Sequence, residues 1–172
     1  MKTRNLVIMA LFVAIGYVLH AISPAIGQGG IRPDFSLMMM FLGILLFPEK
    51  KSVLLLGLAT GLISALTTSF PGGQIPNIID KLVTAFAFYG MFLLVRQNRH
   101  IVTIVILTSV GTLISGLTFI TSAYLIVSLP GPFTVIFMQA VPMAIVINSV
   151  IMAVLYPTVY TIAKRAKLLQ LA

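Results

Sequence analysis

The chain has 172 residues, of which 59% are hydrophobic and only 8% charged, against about a quarter charged in soluble domains. So few charges cannot cover the surface of a water-soluble protein of this size, so lipid must replace water over most of it. The net charge of +8 does not mark a nucleic-acid binder, because the basic residues fall in small groups at the ends of apolar runs and not in a stripe interleaved with aromatics.

The N-terminus enters a first apolar run over residues 6–23 that stops at Pro24. No small-residue cleavage site follows, so this run reads as a retained helix and not a removed signal peptide. A glycine-rich loop comes next, with Gly27, Gly29, Gly30, Arg32, Pro33 and Asp34; its glycines make it a candidate gate. The second run, 35–47, ends at Pro48-Glu49-Lys50-Lys51. It reaches only about 20 Å, less than a ~30 Å hydrocarbon core, so it should begin in the loop region or sit within the bundle.

A third span covers 53–70 and ends at Pro71-Gly72-Gly73, and a fourth covers 76–95, bounded by Arg96 and Arg99. The fifth covers 101–127, before Pro130-Gly131-Pro132, and the sixth covers 133–163, before Lys164, Arg165 and Lys167. Pro142 and Pro157 inside the sixth span are expected to bend or shorten it. The expected fold is thus an all-α membrane protein, a bundle of about six transmembrane helices forming one integral membrane domain over 1–172. With both termini cytoplasmic, Lys2, Arg4, Lys50, Lys51, Arg96, Arg99, Lys164, Arg165 and Lys167 all lie inside, which is nine of the 11 basic residues. Excess lysine and arginine on the cytoplasmic side is the rule for such proteins.

One internal echo pairs Leu62-Ile63-Ser64-Ala65-Leu66-Thr67 with Leu113-Ile114-Ser115-Gly116-Leu117-Thr118. Both spans would run outward, so this is not an inverted repeat, and close helix packing by small and hydroxyl residues accounts for it.

Once the topogenic charges are set aside, Arg32, Asp34, Asp80 and Lys81 remain, all toward the outer side. An ionisable group in the hydrocarbon costs roughly 2.5–3.5 kcal/mol on insertion scales and marks a functional site by default. Two readings follow. The four groups pair with one another and pin the loop over the bundle, or they form a site for a zwitterion, whose carboxylate and ammonium both need partners when desolvated. Asn77, Asp80, Lys81 and Thr84 share one helical stripe at i, i+3, i+4 and i+7, which should face inward, and Gln74 lies just before it. Phe35, Phe70, Tyr124 and Phe133 are the aromatics near the same level. His20 either donates to a ligand or caps a backbone carbonyl, and the second role is favoured. Asn148 reads as glue between helices.

There is no cysteine, which excludes disulfides and thiolate chemistry. A G-x-x-x-x-G-K-[ST] phosphate loop and an H-E-x-x-H motif are both missing, so neither ATP hydrolysis nor a histidine metal site is expected. No nucleophile–base pair lies within the spans. The residues support binding and not catalysis, with no metal and no cofactor.

The stretch Thr60-Gly61-Leu62-Ile63-Ser64-Ala65-Leu66-Thr67-Thr68, continued by Pro71, Gly73-Gln74-Ile75-Pro76-Asn77 and Ile79-Asp80-Lys81, carries a family resemblance. So do Leu6-Val7-Ile8-Met9-Ala10-Leu11-Phe12 and Gly43-Ile44-Leu45-Leu46-Phe47-Pro48. Across its whole length the chain resembles the S components of bacterial energy-coupling factor (ECF) transporters, and among them the tryptophan transporters of the TrpP family. The resemblance implies a six-helix, multi-pass protein of the bacterial cell membrane that binds L-tryptophan from outside. It also implies docking, through a small-xxx-small motif on the first helix, onto a transmembrane coupling subunit whose two ATPase subunits drive import. Ala10 and Ala14 match that motif. The resemblance carries over no ligand-contacting residue, so the site residues rest on the residue reading alone. The alternatives are an S component for another small molecule such as a vitamin, a solitary ion-coupled amino-acid carrier, and a structural membrane subunit with no ligand. A carrier needs a titrating or ion-binding group at mid-depth, where Asn148 is uncharged.

Overall fold

The computed structural model describes residues 3–24, 33–95, 97, 99–166 and 168. Its elements are six helices: α1 (Thr3–Ile22), α2 (Phe35–Leu46), α3 (Lys50–Thr67), α4 (Gln74–Val95), α5 (Ile101–Ile126) and α6 (Phe133–Arg165). Each expected span is a helix, with ends displaced by a few residues at most. Five of the six, all but α2, are long and apolar enough to cross a membrane. Their outward faces are as apolar as their inward ones. Leu94, for example, is 87% exposed and Leu66 86%, which water would penalise and lipid does not.

The short helix α2 occupies the centre. It touches all five other helices, and every residue from Ser36 to Leu46 is buried. Its run of Leu, Met, Phe and Ile thus packs against protein on all sides. Phe41 of α2 stacks on Phe88 of α4 with ring centroids 4.0 Å apart. Gly111 of α5 admits that pair, since a Cβ there would lie 2.7 Å from Phe41 Cζ. α1 is peripheral and, among the described residues, packs only on α2 and α3.

Small residues set the approach of α3 to α4, as is common where lipid removes the hydrophobic drive between helices. A Cβ on Gly57 would lie 3.3 Å from the Lys81 carbonyl, and one on Gly61 would lie 3.1 Å from Ile78 Cα. These glycines bring α3 against the backbone of α4 and leave the Asp80–Lys81 edge of α4 facing the bundle. The α3–α4 turn needs glycine at Gly72, where φ is +72° and a Cβ would run into Val127.

Pro142 and Pro157 do not shorten α6, which runs unbroken from Phe133 to Arg165. Proline is tolerated in membrane helices because neighbouring helices and hydroxyl side chains can satisfy the backbone groups it frees. At 33 residues the helix is about 50 Å long, enough to pass beyond a ~30 Å core.

Candidate functional site

The site begins with a helix cap. Asp34 precedes the apolar run of α2, and its Oδ1 accepts hydrogen bonds from Leu37 N at 3.0 Å and Ser36 Oγ at 2.9 Å. An aspartate at this position satisfies backbone donors that the helix cannot. Its other oxygen, Oδ2, accepts from Lys81 Nζ at 2.7 Å. The backbone N–H of Asp34 donates to Asn148 Oδ1 on α6 at 3.3 Å. The start of the central helix is therefore tied to α4 and α6.

Lys81 uses three donors. Besides Asp34, it reaches Asp80 Oδ2 at 2.9 Å and Ser115 Oγ at 3.4 Å. Asp80 in turn accepts from Ser115 Oγ at 2.9 Å and Thr84 Oγ1 at 2.9 Å. Asp80 and Lys81 are almost wholly buried, and only such a saturated network offsets the loss of water around buried charge. Counted as ionised, one lysine against two aspartates leaves a formal charge of −1 among the described residues. Asp80 lies about 9 Å along α4 from its first residue, so the cluster sits well inside the bundle.

Above this cluster is a cavity of about 390 Å³, in the range of small-molecule sites. It opens where the α1–α2, α3–α4 and α5–α6 connections converge, the end of the bundle opposite Lys50, Arg99 and Lys164. Asp34, Asp80, Lys81, Thr112, Ser115 and Asn148 line its inner part, and the hydroxyls of Ser64, Thr67, Thr68 and Ser69 line it along α3 and the turn that follows. Phe70, Phe119, Leu129, Ile136, Ala140 and Val141 form an apolar part. Phe70 and Phe119 meet edge to face at 5.5 Å.

Of the residues expected at a site, His20, Asp34, Asn77, Asp80 and Lys81 line this cavity. His20 Nδ1 lies 3.1 Å from the Pro33 carbonyl oxygen and 4.0 Å from Asp34 Oδ1. Asn77 donates its amide to the Gly73 carbonyl at 2.8 Å, which holds the first turn of α4. The inward stripe from Asn77 to Thr84 is buried throughout. Two residues stand apart from the cavity. Thr84 is buried behind Asp80 and supports its carboxylate, and Gln74 is exposed on the first residue of α4. Arg32 and the loop glycines lie outside the described residues. Ala10 and Ala14 are exposed on α1 and do not line the cavity. Among the aromatics considered, only Phe70 reaches the cavity; Tyr124 is exposed, and Phe133 stacks on Phe137.

Sequence reasoning missed Ser115, Phe119, Thr112 and Ser64 as cavity residues, and it gave Asn148 a packing role only. Asn148 does join helices, donating to Thr112 Oγ1 at 3.4 Å, but it also lines the cavity beside Asp34. The internal echo held a usable signal, because its paired serines, Ser64 and Ser115, both face the cavity.

The chain matches the family model described as "Tryptophan transporter TrpP" over residues 2–164. It is 53% identical to a "Probable tryptophan transport protein" of Bacillus subtilis, covering 100% of this chain and 99% of that one. Proteins of the same description from Clostridium perfringens and Clostridium acetobutylicum are 36% and 40% identical, covering 98% and 92% of this chain and 97% and 93% of theirs. No solved structure matches. A full-length family match, on a helical bundle with five spans able to cross a membrane, leaves one assignment: this chain is a multi-pass bacterial membrane protein of the TrpP tryptophan transporter family.

Proposed function

We propose that the chain is the substrate-binding subunit of an ATP-driven ECF importer, capturing L-tryptophan at the outer face of the membrane. The observation that carries the reading is a cavity with buried charge at one end and aromatic and aliphatic side chains at the other. The ligand ammonium lies beside the Asp34 carboxylate, which is partly exposed and lines the cavity. The ligand carboxylate, on the same carbon, takes neutral donors. Asn148 Nδ2 is one, since an amide nitrogen carries two hydrogens and Thr112 uses one. The indole lies against Phe70 and Phe119, where ring contacts add to burial.

The energy source is external. The sequence has no phosphate-binding loop, and the described ionisable cluster is closed by its own internal bonds, which suits binding more than ion cycling. α1 supplies the docking face, because Ala10 and Ala14 lie on its exposed side among Leu6, Val7, Leu11 and Val18.

Reconstitution into lipid vesicles tests the coupling. Labelled L-tryptophan is expected to accumulate only when a coupling subunit, two ATPase subunits and ATP are present. Accumulation by the chain alone under a proton or sodium gradient would replace this reading with that of a solitary carrier.

A further inference from the structure

Among the described residues, two buried hydroxyls have no hydrogen-bond partner. A serine or threonine within a helix often donates to the carbonyl four residues back. Thr67, Thr108, Ser109, Thr158 and Thr161 all do so, at 2.7 to 3.2 Å. Thr60 Oγ1 and Ser64 Oγ on α3 are buried and have no hydrogen-bond partner. Thr60 lies deeper and does not line the cavity, whereas Ser64, 7% exposed, does. A buried polar atom that declines an available partner is under-satisfied without one from elsewhere.

The height of Ser64 limits what that partner is. Gly61 faces Ile78 and Lys81 across the α3–α4 contact. Ser64 is three residues further toward the cavity mouth, about 4.5 Å above the ion cluster. On α5, Ser115 belongs to that cluster, and Phe119 is four residues further in the same direction, about 6 Å above it. Ser64 and Phe119 therefore stand at nearly the same level, and the Phe119 ring meets that of Phe70. An amino acid with its ammonium beside Asp34 places its side chain, not its carboxylate, at that level.

We infer that Ser64 is the residue that selects a ring N–H, its Oγ accepting the indole N–H of the ligand. The inference rests on the tryptophan-binding reading above. Indole N–H is a donor with no acceptor capacity, and the unpartnered Ser64 hydroxyl oxygen, with free lone pairs beside the Phe70–Phe119 pair, is its complement. Phenylalanine, which lacks the N–H, leaves the hydroxyl as unpaired as it is without ligand.

Calorimetric titration of the purified full chain with L-tryptophan and L-3-(3-benzothienyl)alanine tests this, because the second ligand keeps the ring shape and replaces N–H by sulfur. The wild type is expected to prefer tryptophan about tenfold, the size of one neutral hydrogen bond. Ser64→Ala is expected to weaken tryptophan by about that factor and leave the analogue unchanged, bringing the two within about twofold. The unliganded variant should melt no lower than the wild type, since the change removes an unpaired buried hydroxyl. Equal wild-type affinity for both ligands, or an equal loss for both in Ser64→Ala, overturns the assignment of Ser64 alone. Failure of the wild type to bind either ligand overturns the tryptophan-binding reading and this inference with it.

Discussion

Lys81→Met is expected to abolish tryptophan binding, weakening it about thirtyfold or more on the scale of about 2–5 kcal/mol for a truncated buried charge pair. The same change should destabilise the unliganded protein by about 3–5 kcal/mol, the usual cost of removing one member of a buried ion pair. The reason is the position of the ammonium. It donates to Asp34, Asp80 and Ser115, so its removal leaves two carboxylates close together with no cation between them. It also frees the N-terminus of α2 from α4, and α2 is the helix on which the other five pack. Charge reversal at either centre, Lys81→Glu or Asp80→Lys, should have the same result. Lys164→Met, at the opposite end of the bundle, should leave affinity and melting temperature unchanged. Thermal unfolding in detergent with ligand titration reads both quantities, and wild-type affinity in Lys81→Met would remove the ion cluster from the site.

The second large effect separates binding from transport. Replacing Ala10 and Ala14 together by leucine is expected to leave tryptophan affinity within about twofold of wild type and reduce ATP-driven uptake to background. Both alanines face outward on a helix that packs only on α2 and α3 among the described residues. In lipid the added methyl groups meet acyl chains as readily as they would meet protein, so the isolated subunit loses little stability. A partner helix that approaches closely over these positions is pushed away. Gly16→Leu, on the opposite face of α1, serves as the contrast. A Cβ there already lies 3.1 Å from Ser36 Cα and Met39 Cβ, so this variant should lose stability as well as uptake. Full uptake by the double alanine variant would move the docking surface off this face.

Much of the fold was legible because a membrane reduces it to a few rules. Apolar runs bounded by prolines and basic residues give the helices, and the short second run left two placements open, of which enclosure within the bundle is the one observed. Of the two effects expected of the α6 prolines, shortening does not occur, since a rule drawn from water-exposed helices weakens where neighbouring helices and hydroxyls can take up the freed backbone groups. The inward stripe of Asn77, Asp80, Lys81 and Thr84 was also readable, because one helix fixes its own periodicity. Its partners were not. Whether Ser115, Asn148 or Phe119 faces that stripe depends on the rotation of α5 and α6, which their nearly uniform hydrophobicity leaves unmarked. Asp34 is an intermediate case: an aspartate just before an apolar run is a helix-cap signal, but its bond to Lys81, 47 residues away, follows only from packing. The glycines at 57 and 61 that set α3 against α4 form a small-xxx-small pair as clear as Ala10 and Ala14, yet spacing alone does not tell an internal contact from an external one.

The most direct test of the account is equilibrium binding of L-tryptophan to the purified chain in detergent, followed through the ligand's own fluorescence. The protein contains no tryptophan, so the signal is unmasked. The account predicts saturable one-to-one binding with no partner subunit present, with tyrosine and phenylalanine competing only weakly. A folded chain that shows no saturable binding would contradict it.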